Sequence, residues 1–221
     1  MYEHKLIWTL QSKFPKAWRN KLFENNLILE HTPLVKLVQT KEINSILPFK
    51  QDSNVIVTSP FAAKIIASKI NSSCKFFVVG NKSKMILEKH GFNVVEFSNT
   101  SKELSELVKT KINGTFIHLC SELTDKKVWP ENVIFVPFYK PIENDKFDAR
   151  MYKDLNNYTV VFGSPSGVDV WFRNVNHRSN YNYACMGETT ANRILNYTNE
   201  NVIFPCDSST ETLIKLITKK I

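Results

Sequence analysis

The chain has 221 residues, of which 43% are hydrophobic and 23% charged, with a formal net charge of +8. This is the balance of a globular protein with one large or two small cores. No stretch approaches the roughly 20 apolar residues that would span a bilayer, and no apolar run follows Met1-Tyr-Glu-His-Lys5, so neither a membrane span nor a signal peptide is expected, and a cytoplasmic location is.

In chain order, residues 5–10 are β-rich, 15–25 amphipathic and 27–32 apolar again, which makes a β-α-β opening. Residues 40–47 predict a short helix. Strands are expected over 54–58, 76–79, 94–97, 115–119 and 133–139, separated by helices over 60–70, 83–90 and 101–111. Further strands are expected over 158–162, 183–186 and 202–204, with helices near 147–155, 166–173, 189–197 and 209–219. Alternation of this kind predicts an α/β protein with parallel sheets covered by helices. The strands are continuous hydrophobic runs, as expected when both faces are buried.

One pattern is written twice, about 105 residues apart. The first copy reads Val55-Ile-Val-Thr-Ser-Pro60 and then Phe76-Phe-Val-Val-Gly-Asn-Lys-Ser83. The second reads Val160-Val-Phe-Gly-Ser-Pro165 and then Tyr183-Ala-Cys-Met-Gly-Glu-Thr-Thr190. A repeat of this length predicts two similar domains with a ligand cleft between them. The final segment holds too few strands for a sheet of its own. The N-terminal unit therefore joins it, giving one discontinuous domain over 1–34 and 143–221 and an inserted domain over 38–137. The chain crosses twice, at about 35–37 and 138–142, and two crossing strands side by side would form a short hinge.

The candidate chemistry lies where these strands end. Thr58-Ser59-Pro60 and Ser164-Pro165-Ser166 each place a serine at the cap of a helix and proline at its first position. The unpaired N–H groups of such a turn, with the helix dipole, suit an anion. One such junction alone is most simply an ordinary cap; two equivalent ones strengthen the case for a ligand. Gly80-Asn-Lys-Ser83 and Gly187-Glu-Thr-Thr190 also follow strands and open helices, with glycine permitting a tight turn.

Other chemistries find little support. Cys74, Cys120, Cys185 and Cys206 form no close pair, and His4, His31, His90, His118 and His177 show no metal spacing, so no metal is expected. The cysteines read as buried free thiols in a reducing compartment, and the lone histidines as structural. No P-loop, GxGxxG turn or GxSxG elbow occurs. No aromatic pattern accompanies the basic charge, so a nucleic-acid partner has only composition behind it. The excess charge itself favours a polyanionic partner or is a lysine-rich solvated surface.

Taken together, Val57-Thr-Ser-Pro60, Val79-Gly-Asn-Lys-Ser83, Phe162-Gly-Ser-Pro-Ser-Gly167, Ala184-Cys-Met-Gly-Glu-Thr-Thr-Ala191 and Ser208-Ser-Thr-Glu-Thr-Leu-Ile-Lys-Leu216 resemble the uroporphyrinogen-III synthase family. The likeness runs through nearly the whole chain. It implies a HemD-like fold, two α/β domains with flavodoxin-like layers on a two-stranded connection. It implies cyclisation of hydroxymethylbilane, a linear tetrapyrrole with eight carboxylates, with inversion of ring D and loss of water. It implies no cofactor, a monomer and a transient contact with hydroxymethylbilane synthase. By the same resemblance, Tyr139 in Val136-Pro-Phe-Tyr-Lys-Pro141 stands where the family's suspected proton donor lies, against the alternative of an aromatic packed in the strand. Thr58, Ser59, Ser83, Ser164, Ser166, Gly167, Thr189 and Thr190 would hold the substrate's carboxylates. The sequence departs from the family at Leu10, where arginine is frequent, at Gly163, where threonine or serine is usual, and at Glu188, where an uncharged residue is common. The segment 119–130 is also short and lacks an arginine often found there. These departures leave a catalytically inactive binder of a small polycarboxylate as the rival reading.

Overall fold

The structure is a computed structural model, and it describes residues 4–41, 52–69, 73–111, 114–152, 157–175, 181–207 and 209–220. Its contacts divide the chain into two compact units, Met1–Lys36 with Pro141–Ile221, and Leu37–Lys140.

The first unit carries β1 (His4–Trp8), α1 (Arg19–Glu24), β2 (Leu27–His31) and the start of β3 (Val35–Gln39). In the second unit lie β4 (Asn54–Val57), α2 (Pro60–Lys69), β5 (Lys75–Val79), α3 (Asn81–Lys89), β6 (Asn93–Ser98), α4 (Ser101–Lys111), β7 (Phe116–Ser121) and most of β8 (Val133–Glu143). The chain then returns to the first unit with β9 (Tyr158–Phe162), α5 (Pro165–Asn174), β10 (Tyr181–Cys185), α6 (Glu188–Leu195), β11 (Val202–Ile203) and α7 (Thr210–Lys220).

The first unit's sheet runs β11-β10-β9-β1-β2, and every neighbouring pair is parallel. From β1 the chain winds one way to β2, and from β9 the other way to β10 and β11. The order therefore reverses between β1 and β9. The second unit's sheet runs β3-β8-β7-β4-β5-β6 and reverses between β4 and β7. In open α/β sheets a ligand crevice forms at such a reversal, outside the carboxyl ends of the strands.

Alternation along the strands explains the two-sided cover. In the first sheet Ile7, Val160, Phe162, Tyr183 and Cys185 point to one face and pack with Val168, Trp171, Ala191 and Ile194 of α5 and α6. Leu6, Trp8, Val161 and Ala184 point to the other, against Leu22 of α1 and Leu213, Ile214 and Ile217 of α7. The second sheet repeats the scheme. Val55, Val57, Phe76 and Val78 meet α2 and α3, while Ile56, Phe77 and Phe116 meet Leu104 and Val108 of α4. A sheet buried on both faces has no solvated side for polar residues, which is why the strands read as unbroken apolar runs.

The chain crosses between the units in β3 and β8, which are neighbours in the second sheet. Thr40 N donates to Phe138 O at 2.8 Å and Asn144 N to Leu34 O at 2.9 Å, so the two strands run antiparallel. β8 is longer than the strand expected over 133–139, because Pro137 and Pro141 do not end it. Proline lacks the N–H that a central strand needs, yet is tolerated at irregular or edge positions.

Two further expectations need correction, those for 147–155 and Cys206, and one gains detail. The helix near 147–155 is a 3₁₀ turn over Ala149–Tyr152, with residues 153–156 outside the described set. The amphipathic segment over 15–25 divides into a 3₁₀ turn, Lys16–Trp18, and α1. Cys206 is exposed, in a turn after Pro205, whereas Cys74, Cys120 and Cys185 are buried; all four are free. The helix expected over 40–47 lies, beyond Lys41, outside the described residues. No described helix is long and apolar enough to cross a membrane.

Trp171 sits at the centre of the first unit's aromatic cluster, with Phe147, Tyr152, Phe162 and Tyr181 within 6.2 Å between ring centroids. Its indole Nε1 is buried without a hydrogen-bond partner. Trp171→Ala should therefore destabilise the protein by about 3–5 kcal/mol. Trp171→Phe removes the unpaired donor along with the volume and should cost less than half as much in urea denaturation.

Candidate functional site

Each sheet reverses its order beside one of the duplicated Ser-Pro turns. In the second unit, β4 ends at Val57 and α2 begins at Pro60. The Ser59 carbonyl accepts from Ala63 N at 3.0 Å, and its Oγ accepts from Phe61 N at 3.2 Å. In the first unit Ser164 is the extended residue before α5, with Pro165 in the first turn. Its Oγ accepts from Gly167 N at 3.4 Å and lies 3.0 Å from Ser166 Oγ. Ser164, Ser166 and Gly167 are thus brought together as one small donor cradle. Pro165 lacks an N–H and the Gly167 amide is committed to Ser164, so the turn presents its two hydroxyls and no charge.

Tyr139 reaches Ser59 by way of a β-bulge. β7 and β8 pair in register through Cys120 with Pro137, then shift so that Ser121 faces Tyr139, leaving Phe138 as the extra residue. In a regular strand Phe138 and Tyr139 would point to opposite faces. Here both pack on the α2 face, with Val57, Ala62 and Ala63. A bulge re-aims side chains in this way and is common beside active sites. The Tyr139 ring lies 5.1 Å from that of Phe61 and only 5% of the residue is exposed. Burial pushes the phenol's pKa up, the hydrogen bond with Ser59 pulls it down, and the nearby Cys120 adds a further push. The phenol is accordingly neutral near pH 7, able to donate a hydrogen bond.

Thr58 is half-buried, and its Oγ1 lies 3.2 Å from Nε2 of His118 in β7. His118 is fully buried, with its ring centroid 4.7 Å from that of Trp129 and 5.6 Å from that of Phe135. Burial pushes its pKa down to about 4.

The remaining candidates are more dispersed. α3 begins at Asn81 rather than Ser83, with Gly80 at its cap in the left-handed region (φ 83°). Ser83 consequently sits inside the first turn, fully buried, with its hydroxyl unpartnered. On α6, Thr189 is exposed and Thr190 buried, and the Thr190 amide donates to Gly187 O at 3.1 Å. Glu188 is exposed in that first turn, where a carboxylate complements the helix dipole. Among the described residues no group of three or more His, Cys, Asp or Glu side chains could hold a metal.

Two departures noted in the sequence turn out to be one. A Cβ added to Gly163 would stand 2.6 Å from Leu10 Cγ. Gly163 is not one of the left-handed glycines, so the requirement for glycine is a matter of space. Leu10 cannot easily retreat. Thr9 Oγ1 donates to Val161 O at 2.7 Å, His31 Nε2 lies 2.9 Å from Leu10 O, and Gln11 Nε2 donates to Val35 O at 3.0 Å. The leucine at the end of β1 and the missing side chain at the end of β9 are complementary halves of one contact. Both positions stand out in the sequence, but nothing there joins them, because they lie far apart in the chain. His118 does not stand out as a site residue at all; its single signal is a polar residue inside a buried strand.

The fold is that of solved uroporphyrinogen-III synthases. The chain matches uroporphyrinogen-III synthetase from Helicobacter pylori with a TM-score of 0.68 and 13% identity, over 99% of this chain and 100% of that one. It matches a mutant uroporphyrinogen III synthase from the extremely thermophilic bacterium Thermus thermophilus with a TM-score of 0.59 and 11% identity, over 98% of this chain and 97% of that one. No family model matches the sequence, and no curated protein matches it significantly.

Gly163→Ser should cost about 1–3 kcal/mol by overpacking against Leu10. Combined with Leu10→Ala, the same substitution should lose most of that cost, a non-additivity read from denaturation midpoints in a double-mutant cycle.

A second prediction concerns pH. The folded protein binds the His118 proton less readily than the unfolded chain, whose histidine titrates near 6.5. The unfolded state therefore takes up protons first as pH falls from 6.5 to about 4, and stability declines across that window. The loss should be about 3 kcal/mol. Urea denaturation at a series of pH values should show that slope, and His118→Phe should remove His118's share of it.

Proposed function

We propose that this chain is a uroporphyrinogen-III synthase, a lyase that closes hydroxymethylbilane into uroporphyrinogen III. The observation that carries the reading is the pairing of a full-length likeness to two such synthases with a Ser-Pro helix start at the reversal point of each sheet. Each unit thereby supplies neutral donors for the substrate's carboxylates: Thr58 and Ser59 in one, Ser164 and Ser166 in the other, where Gly167 N holds the Ser164 hydroxyl in place, with Thr189 and Thr190 on α6. Ser83, being fully buried, acts on the site only through the α3 turn. The chain works as a cytoplasmic monomer without metal or organic cofactor.

The chemistry asks for a weak acid and a template. The hydroxymethyl group leaves as water, taking a proton, and an electrophilic azafulvene remains. The substituted carbon of ring D attacks it, giving a spirocyclic intermediate. That intermediate fragments and recloses with the ring inverted, and loss of a proton from the new junction restores the pyrrole. The electron-rich pyrroles drive these steps. Holding a flexible tetrapyrrole in the spiro-forming shape contributes several kcal/mol. Tyr139 is the proton donor to the leaving hydroxyl. Burial keeps its phenol protonated, and Ser59 orients it.

Glu188 favours a second reading, a binder of a small polycarboxylate without turnover, since it sets a negative charge in the first turn of α6. One assay separates the two. Hydroxymethylbilane generated in situ should give the type III isomer after oxidation and chromatography. Type I product alone, together with retained uroporphyrin binding, would leave the binder. Tyr139→Phe should lower kcat roughly 10²-fold while the thermal midpoint stays near that of the wild type. An unchanged rate removes Tyr139 from the mechanism.

A further inference from the structure

We infer that His118, from within the core, fixes Thr58 as an obligate hydrogen-bond donor, so that the Thr58 hydroxyl proton faces an anionic oxygen of the ligand at the reversal point of the second sheet. The inference deepens the proposed function, rests on it for the identity of the ligand, and assigns His118 as a positioning residue for that site.

The placement of a single proton decides the matter. His118 is fully buried between Trp129 and Phe135, and in such surroundings the imidazole is neutral, with one N–H. Its Nδ1 has no hydrogen-bond partner, and its Nε2 lies 3.2 Å from Thr58 Oγ1. Were the proton on Nδ1, a buried N–H donor would be orphaned among aromatic rings, and Thr58 would have to spend its own proton on Nε2. With the proton on Nε2, only a lone pair goes unmet. Buried orphan donors are rarer than under-satisfied acceptors. The second tautomer is therefore the stable one, and Thr58 Oγ1 accepts from the ring. Its hydroxyl proton is then left over. Ser59 is not fixed in this way: its Oγ accepts from Phe61 N, which leaves its own proton able to turn toward Tyr139 or toward a ligand. Thr58 is half-buried beside the first turn of α2, where an anion is also favoured by the helix dipole.

The duplicated turns show how specific this arrangement is. In the aligned copies Gly163 stands in the place of Thr58. His118 pairs with Ile56 in β4, and the corresponding residue of the first unit, Val161 of β9, pairs with Trp8 of β1. One turn has a side-chain donor with an imidazole behind it. The other has bare backbone with an indole behind it.

Long-range proton–nitrogen NMR on the labelled protein tests the tautomer directly, with His118→Gln identifying the signal. A protonated Nε2 and a bare Nδ1 are expected, and the reverse overturns the inference whether or not the chain is catalytic. The functional arm uses hydroxymethylbilane made in situ. Thr58→Val and His118→Phe should each raise KM about tenfold with kcat within about twofold, the scale of one hydrogen bond to a charged group. The double variant should be no worse than either single one, and His118→Gln, which keeps an N–H donor, should recover most of the loss. An unchanged KM in a folded His118→Phe protein, or losses that multiply in the double variant, overturns the inference. Should the wild type make no type III isomer, the same variants are read by titration with uroporphyrin III, with the same outcomes applied to Kd. If His118→Phe fails to fold, the wild-type tautomer decides.

Discussion

The constraint that governs this molecule is the burial of both its parallel sheets on both faces. A strand covered by helices above and below can carry almost no polar chemistry along its length, because an unpaired polar group there costs free energy. What remains is the edge where strands stop and helices start. There the first turn of each helix has N–H groups without intrahelical partners, and a reversal of strand order is the place where open α/β sheets form a ligand crevice. Thr58, Ser59, Ser164 and Ser166 are all found at such ends. Tyr139 is the informative exception. It belongs to the body of a strand and comes to Ser59 only because one extra residue, Phe138, bulges β8.

The same constraint explains why the two copies of the turn differ. Space at a reversal point is limited, and a side chain from one strand end excludes one from its neighbour. In the first unit Leu10 has taken that volume, and Gly163 has none left. In the second unit Thr58 keeps its side chain because its neighbour, His118, offers a flat imidazole that can hydrogen-bond to it. The two helix starts share one sequence pattern, and packing makes one a polar contact and the other an apolar floor.

Much of this is legible in the sequence, and the reasons differ by element. β9 is readable because Tyr-Thr-Val-Val-Phe is buried at every position, and α5 because Ser164-Pro165 marks its start without ambiguity. The α/β class, with two parallel sheets, follows from the alternation. The length of β8 is not readable, since Pro137 and Pro141 normally argue against a continuing strand and only the irregular pairing with β7 and β3 accommodates them. α3 starts two residues before the expected position because Ser83 has the chemistry of a cap, while Gly80 caps by conformation alone. Cys206 reads as buried because it follows an apolar run, but Pro205 turns the chain outward after only two residues of β11. At the site, residue types are visible and their partners are not. The contacts of Thr58 with His118 and of Leu10 with Gly163 each join distant parts of the chain, and no local pattern encodes such a meeting.

The groups at these strand ends share a property that bears on how a polyanion would be held. Tyr139 and His118 are both kept neutral by burial, the serines and threonines carry no charge, and Leu10 is apolar. A carboxylate bound by such donors gains hydrogen bonds without forming a tight ion pair, and each contact is individually modest. The net charge of +8 lies elsewhere, on lysines and arginines that are mostly exposed. Charge on the surface acts over roughly 8 Å at physiological salt, far enough to draw in an anion and too loosely to fix its pose. On the proposed reading, attraction and positioning would thus fall to different parts of the molecule. A ligand with many carboxylates suits that division, since it sums many weak neutral contacts, and a flexible one could still rearrange while bound because no single contact is strong enough to pin it.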